Sequence, residues 1–110
     1  MNFPAENTEL ILANEADIHN ASRALKAMAH PLRLKIMCIL GNSDEVTVQG
    51  IVEMVGTSQS NISQHLSILR DKGILACRKD ANKVYYRIGE DKILHLMMAM
   101  REAFCPNSPS

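Results

Sequence analysis

The fold is decided by residues 56–73, which read Gly56-Thr57-Ser58-Gln59-Ser60-Asn61-Ile62-Ser63-Gln64-His65-Leu66-Ser67-Ile68-Leu69-Arg70-Asp71-Lys72-Gly73. Apolar residues recur in this stretch at helical spacing, so we predict a helix over 59–72 with Ser58 as its N-cap and Gly73 just beyond its end. The segment before it, 48–54, has an apolar stripe of its own and Thr47 as a candidate N-cap. A short helix, a glycine turn and a second helix together indicate a helix-turn-helix.

The outward face of the second helix carries short polar side chains, whereas a solvated helix usually favours Glu and Lys. Gln and Asn side chains can hydrogen-bond adenine, and Ser can bond more than one base. The helix has no acidic side chain before Asp71 that would repel phosphate. We therefore predict that this helix enters the major groove of double-stranded DNA. The predicted DNA-binding residues are Ser58, Gln59, Ser60, Asn61, Ser63, Gln64, His65, Arg70, Lys79 and Lys83. The alternative is a serine-rich surface helix without a ligand.

Two short strands, 74–78 and 84–88, are predicted after this helix, with a turn over 79–83 between them. Their hairpin would form a wing, with Lys79 and Lys83 near the DNA backbone. Residues 70–87 carry six basic and two acidic side chains, a net charge of +4, in a chain whose net charge is zero. A local basic patch is what phosphate binding needs, although a solvated hairpin with surface lysines has the same pattern.

Three further helices complete the predicted architecture: residues 8–28, starting near Thr8, residues 31–40, and a last helix from Glu90 or Asp91 to Phe104. The fold class is mainly α with a small β-hairpin wing, a winged helix-turn-helix of four helices, two strands and a fifth helix. With 110 residues and no long linker, the chain is predicted to be a single domain over 1–110, with an N-terminal extension at about 1–15 and a frayed tail at 106–110.

Composition excludes several classes of protein. No run of 18 apolar residues is present, and residues 1–6 lack the basic and apolar regions of a signal peptide, so we expect a cytoplasmic chain without a membrane partner. No Ser-His-Asp order, phosphate loop or paired carboxylates indicate an enzyme. A winged-helix protein that binds only other proteins stays open as an alternative.

Two of the three cysteines lie near the ends of separate predicted helices. Cys38 lies in the apolar run 34–40, and Cys105 closes the Met-rich last helix. In a reducing cytoplasm, a bridge between two thiols acts as a signal. Arg101, one helical turn before Cys105, can favour its thiolate, whereas apolar surroundings should slow Cys38. We therefore predict that Cys105 reacts first and Cys38 resolves, while Cys77 in a strand contributes packing.

Three segments resemble the ArsR family of bacterial winged-helix repressors. They are Leu-Lys-Ala-Met-Ala-His-Pro-Leu-Arg-Leu at 25–34, Ser-Asn-Ile-Ser-Gln-His-Leu-Ser-Ile-Leu-Arg at 60–70, and Val-Tyr-Tyr-Arg-Ile at 84–88. The resemblance covers roughly residues 20–105. It implies a homodimer built on the first and last helices, which binds an inverted-repeat operator and leaves it when an inducer binds.

The positions of the two distant cysteines resemble those of the family's persulfide-sensing branch, the BigR, SqrR and HlyU types. This resemblance implies that reactive sulfur species release the operator through a disulfide or polysulfide bridge between Cys38 and Cys105. The family's metal-sensing Cys-x-Cys is absent, and Asp91 and His95 lie four apart with no later His, so we predict no metal and no cofactor. A thiophilic metal or arsenical held by Cys38, Cys105 or Cys77 stays open as the alternative inducer.

Overall fold

The computed structural model describes residues 14–105, and every structural statement below concerns that part of the chain. The helices are α1 (Glu15–Met28), α2 (Pro31–Gly41), α3 (Val48–Val55), α4 (Gln59–Asp71) and α5 (Asp91–Phe104), and the strands are β1 (Val46–Thr47), β2 (Leu75–Asp80) and β3 (Lys83–Ile88). The strands form one antiparallel sheet in the order β1-β3-β2. The predicted winged helix-turn-helix is confirmed, with the β2–β3 hairpin as the wing.

Helix α1 begins later than predicted. Its N-cap is Asn14, whose backbone is extended and whose Oδ1 accepts a hydrogen bond from the Asp17 N–H at 2.9 Å. An asparagine three residues before an acidic side chain is a local helix-start signal, and the sequence therefore contains the information for a start at Glu15. The predicted start near Thr8 lies outside the described residues, as do positions 1–13 of the predicted extension and the predicted tail at 106–110.

Strand β1 was not predicted. It pairs Val46 with Tyr86 and Thr47 with Tyr85 of β3, and two residues are too few for a recognisable alternation. Thr47 also caps α3 as predicted, because its Oγ1 accepts a hydrogen bond from the Gly50 N–H at 3.0 Å. One residue therefore ends the strand and starts the first helix of the helix-turn-helix.

The wing strands are longer than predicted. Asp80 pairs with Lys83, so the turn consists of Ala81 and Asn82 alone, and Lys79 and Lys83 lie in the strands. Ala81 has a φ of 56°, in the left-handed region that a Cβ atom disfavours. The wing therefore contains one strained residue at its tip.

The core lies between the helices and the inner face of the sheet. Its fully buried side chains come from α2, α3 and α4: Ile36, Met37, Leu40, Ile51, Ile62, Leu66 and Leu69. Each contributes about 1.5–3 kcal/mol by leaving water. Because α4 buries the predicted stripe, its polar face points outward. None of the helices in the described part is long and apolar enough to cross a membrane.

Candidate DNA interface and thiol cleft

The N-terminus of α4 is held by local polar contacts. The Ser58 Oγ accepts a hydrogen bond from the Asn61 N–H at 3.2 Å, which confirms the predicted N-cap. The Asn61 Nδ2 donates to the Thr57 Oγ1 at 3.3 Å. Gly56, with a φ of 80°, ends α3 in the left-handed conformation that glycine tolerates. Two predicted DNA-binding residues, Ser58 and Asn61, thus also hold the turn between the two helices.

A groove joins α4 to α3 and the wing. It has a volume of about 470 Å³, and Gln59 and Ser63 of α4 and Lys83 of the wing lie along it. Gln49 and Glu53 of α3 line the same groove and are hydrogen-bonded to each other at 3.4 Å. Gln49 and Glu53 were not predicted from the sequence, because their position beside α4 depends on how the helices pack.

Most of the predicted DNA-binding side chains are accessible. Ser63, Asn61 and His65 are half-buried, and the others are exposed: Ser58, Gln59, Ser60, Gln64, Arg70, Lys79 and Lys83. The exposed side chains follow α4 and continue onto the wing. This surface, the face of α4 together with Lys79 and Lys83, is called the polar face below.

The positive charge of the wing is partly neutralised. The Arg78 Nε and Nη2 donate to the two carboxylate oxygens of Glu45 at 2.7 and 2.8 Å, and the guanidinium lies 4.3 Å from the Tyr85 ring centroid. This hydrogen bond is the main reason that the pKa of Glu45 is lowered and that of Arg78 is raised. Glu45 lies outside the basic segment 70–87, so the charge count from the sequence missed it.

Arg70 lies at the junction of α4 and the wing. A hydrogen bond with Cys77, followed by one with Asp71, raises its pKa above the usual value. The Asp71 carboxylate lies 3.3 Å from the Arg70 Nη2. Cys77 is half-buried on β2 and faces Tyr86 across the sheet. Cys77 therefore belongs to the packing at the base of the wing.

His65 is oriented towards α2. Its Nδ1 accepts a hydrogen bond from the Arg33 Nε at 3.1 Å, and its ring centroid lies 4.7 Å from that of His30. Burial, followed by the proximity of His30 and Arg33, lowers the pKa of His65. A neutral ring that accepts at Nδ1 carries its proton on Nε2, which is then the only ring nitrogen with a proton to donate.

The two distant cysteines line a single cleft. It lies between α2 and α5, has a volume of about 420 Å³, and contains Cys38 and Cys105, both exposed free thiols. The other lining residues include the apolar side chains Leu34, Met97, Met98, Met100 and Phe104. This surface is called the thiol cleft below. It brings together the two cysteines that the sequence separates by 67 positions.

Cys38 is exposed although its sequence neighbours are apolar. The core face of α2 carries Ile36 and Leu40, and Cys38 lies on the outward face. Cys38 is therefore accessible within an apolar cleft, and the order in which the two thiols react stays a prediction. Arg101 lines the same cleft, as expected from its place one turn before Cys105, and its carbonyl accepts the Cys105 N–H at 2.8 Å.

Comparison with known proteins gives consistent sequence matches. Residues 30–76 match the family model described as "Bacterial regulatory protein, arsR family". The HTH-type transcriptional regulator YgaV of Escherichia coli (strain K12) is 33% identical over 92 residues, which cover 84% of this chain and 93% of that regulator.

Solved structures match both the fold and most of the length. HlyU from Vibrio cholerae N16961 has a TM-score of 0.80 and 33% identity, over 84% of this chain and 99% of that one. A structure described as reduced HlyU from the same source has a TM-score of 0.77 at 33% identity and covers 83% and 95%. The transcriptional repressor BigR from Xylella fastidiosa has a TM-score of 0.76 at 32% identity and covers 83% and 92%.

Proposed function

Because the chain belongs to the ArsR family of bacterial regulatory proteins, we propose that it is a repressor that reactive sulfur species release from its operator. As a member of this family it is a DNA-binding transcriptional regulator and not an enzyme. One observation carries the finer proposal: Cys38 and Cys105, the predicted redox-sensing residues, line the same exposed cleft between α2 and α5.

The sensing reaction joins these two thiols. The Cys105 thiolate attacks a sulfur atom of a polysulfide, an S–S bond breaks, and the shorter polysulfide leaves. The Cys38 thiolate then attacks the sulfur chain on Cys105 and expels hydrosulfide. The two thiols lose two electrons, and one sulfane sulfur is reduced to sulfide. Arg101 lines the same cleft and lies one helical turn before Cys105, which we propose reacts first.

A bridge across the thiol cleft can reach the DNA through α2. This helix carries Cys38 and packs against both α5 and α4. A covalent link between α2 and α5 restricts how the two helices pack, and so the position of α4. To change operator occupancy tenfold, the link has to favour the non-binding arrangement by only about 1.4 kcal/mol.

The polar face is the proposed DNA-binding surface. We propose that α4 lies in the major groove, with Gln59, Ser60, Asn61, Ser63, Gln64 and His65 along it, and that Ser58, Arg70, Lys79 and Lys83 lie nearby. The groove that Gln59 and Ser63 share with Lys83 supports this arrangement, because it places a wing cation beside the reading helix.

A homodimer is the proposed assembly. Large apolar side chains are exposed on α1 and α5, among them Leu25, Met98 and the 82% exposed Phe104. A second copy of the chain would cover them and present a second α4, which suits an inverted-repeat operator with half-sites about one helical turn apart. We place this single-domain protein in the cytoplasm, where its operator is found.

A soft metal or arsenical is the second candidate inducer. Thiolates and thioethers prefer such ions, and Met97, Met98 and Met100 line the cleft beside the two thiols. Within residues 14–105, no group of three or more His, Cys, Asp or Glu side chains is placed to hold a metal ion, so this candidate depends on the two thiols and thioethers alone.

A gel shift on the DNA upstream of the gene, with and without polysulfide, tests the proposed function. We expect the thiol form to bind and the polysulfide-treated form to dissociate. Mass spectrometry of the treated protein should show added sulfur between Cys38 and Cys105, in units of about 32 Da per atom. Metal bound to the protein after metal treatment, with unmodified thiols, would support the second candidate. Unchanged DNA binding after polysulfide treatment would contradict both sulfur sensing and the thiol switch.

A further inference from the structure

Arg33 joins three helices at one corner of the molecule. It lies on α2, its Nη1 donates to the carbonyl oxygen of Ala27 on α1 at 3.2 Å, and its Nε donates to the Nδ1 of His65 on α4 at 3.1 Å. Arg33 and His65 are both half-buried, so water screens their contact only in part. A single side chain thus fixes the middle of α4 relative to α1 and α2.

His30 completes the corner. Its Nδ1 accepts the Leu32 N–H at 3.1 Å and caps α2, and its ring lies 4.7 Å from that of His65. His65 therefore lies between a guanidinium and a second imidazole. In the described part of the chain, two titratable or charged groups face His65. They are Arg33 from α2 and His30 from the corner between α1 and α2.

We propose that the Arg33–His65 hydrogen bond positions α4 for operator binding, and that protonation of His65 at mildly acid pH breaks this bond and weakens the binding. The proposal rests on the proposed role of α4 as the DNA-reading helix. Only neutral histidine can accept at Nδ1, because both ring nitrogens of the protonated form are donors. After protonation, an N–H of His65 and its positive charge would face the Arg33 guanidinium.

The direction of the pH effect follows from the surroundings of His65. Burial and the neighbouring His30 and Arg33 lower the pKa of His65 below its ordinary value of 6.5, so the ring is neutral at pH 7. Because the pKa is lower in the folded arrangement, the contribution of the bond is complete above pH 6.5 and is lost as the pH falls through the lowered pKa.

A direct contact between His65 and a DNA phosphate would have the opposite pH dependence. Protonation would then add a cation at the interface and strengthen binding, because cations that neutralise phosphates release counterions. The sign of the pH dependence therefore separates a positioning residue from a phosphate ligand. A merely structural role of His65 predicts a third result, because the operator affinity of the folded protein would then not follow the titration of one histidine.

The test is the operator Kd of the full-length thiol form between about pH 7.5 and about pH 5.5 at constant ionic strength, with circular dichroism to confirm that the protein stays folded. We expect the Kd of the natural protein to rise as the pH falls below 6.5, with an upper limit of about tenfold once His65 is fully protonated, a common effect of losing a hydrogen bond to a charged group. Relative to its own Kd at pH 7.5, His65→Gln should show no rise on acidification, because glutamine accepts through Oε1 and does not titrate.

Two further variants sharpen the test. Arg33→Met should raise the Kd at neutral pH and also remove the pH dependence, whereas His95→Gln, on the exposed part of α5, should keep the rise of the natural protein. A Kd that stays constant or falls with acid in the natural protein, or an unchanged rise in His65→Gln, would overturn the positioning role. Absence of operator binding at neutral pH would overturn the proposed function as well.

Discussion

Neighbouring side chains on α4 lie in different environments and have different proposed roles. Leu66 is fully buried in the core, and Gln64 two positions earlier is exposed on the polar face. His65 between them accepts a hydrogen bond from Arg33 and ties the helix to α2. A substitution on this helix therefore tests base contact, helix position or core packing according to the face that it changes.

Gln64 tests base contact. Replacing Gln64 by Ala should weaken specific operator binding by about 1–3 kcal/mol, the usual contribution of a good contact to a base edge. Lys83→Ala is the matched comparison, because Lys83 borders the groove from the wing and should contact phosphate. Its loss should weaken binding to all sequences and reduce the salt dependence. Equal weakening of specific and nonspecific binding by Gln64→Ala would argue against base reading.

The three cysteines should differ in their response to polysulfide. Cys38→Ser and Cys105→Ser should each bind the operator and fail to release it, because the bridge needs both thiols of the cleft. Cys77→Ser is the matched control and should respond normally, since Cys77 packs at the base of the wing. Gel shifts with and without polysulfide measure the response. Release of DNA by treated Cys105→Ser would rule out the two-thiol switch.

Each element of the DNA-reading unit is anchored at one end. Thr47 caps α3, Ser58 caps α4, and the bidentate pair of Arg78 with Glu45 joins β2 to the residue before β1. The caps are local in sequence, whereas Arg78 and Glu45 are 33 positions apart. The wing is consequently held against the helix-turn-helix by its base, and Asn82 of its two-residue turn lines the groove beside α3 and α4.

The strained turn of the wing gives a stability prediction. Ala81→Gly should stabilise the protein by roughly 0.5–1 kcal/mol, because glycine adopts a positive φ without the Cβ penalty, although it loses more chain entropy on folding. Urea unfolding at equal protein concentration measures the change. Ala76→Gly in β2, which pairs with Arg87 in regular strand geometry, should instead destabilise. Destabilisation by both variants would show that the turn is not strained.

At the scale of the whole molecule, the two proposed functional surfaces do not overlap. The polar face is formed by α4 and the wing, and the thiol cleft by α2 and α5. Helix α2 packs against both α4 and α5 and carries Arg33 as well as Cys38. The proposed signal from the cleft to the DNA would therefore have a short physical route through α2.

The exposed apolar side chains of α1 and α5 predict a homodimer. Sedimentation at micromolar concentration should give twice the monomer mass, and Phe104→Glu should shift the equilibrium towards monomer, because a charge would be buried in the interface. The same variant should lower operator affinity, since two linked α4 helices bind an inverted repeat more tightly than one. Glu102→Gln on the same helix is the control. A monomeric natural protein would contradict this assembly.

Local patterns in the sequence were enough to predict the helices, their caps at Thr47 and Ser58, the hairpin and the two candidate thiols. These features depend on periodicity and on contacts between residues close in the chain, which a single sequence displays directly. They were sufficient to predict the winged helix-turn-helix and the polar face of α4. Two local predictions differ from the structure. Helix α1 begins at Glu15 and not near Thr8, and the wing turn has two residues and not five.

The features that join distant parts of the chain depend on how the helices and strands pack together. Strand β1 exists because β3 pairs with it. Arg33 and His65 are 32 positions apart in the sequence, and they come into contact because α2 packs beside α4. Cys38 is exposed because its apolar neighbours turn towards the core. Which face of a helix is covered, and by what, depends on packing between elements, and periodicity within one element cannot specify that partner.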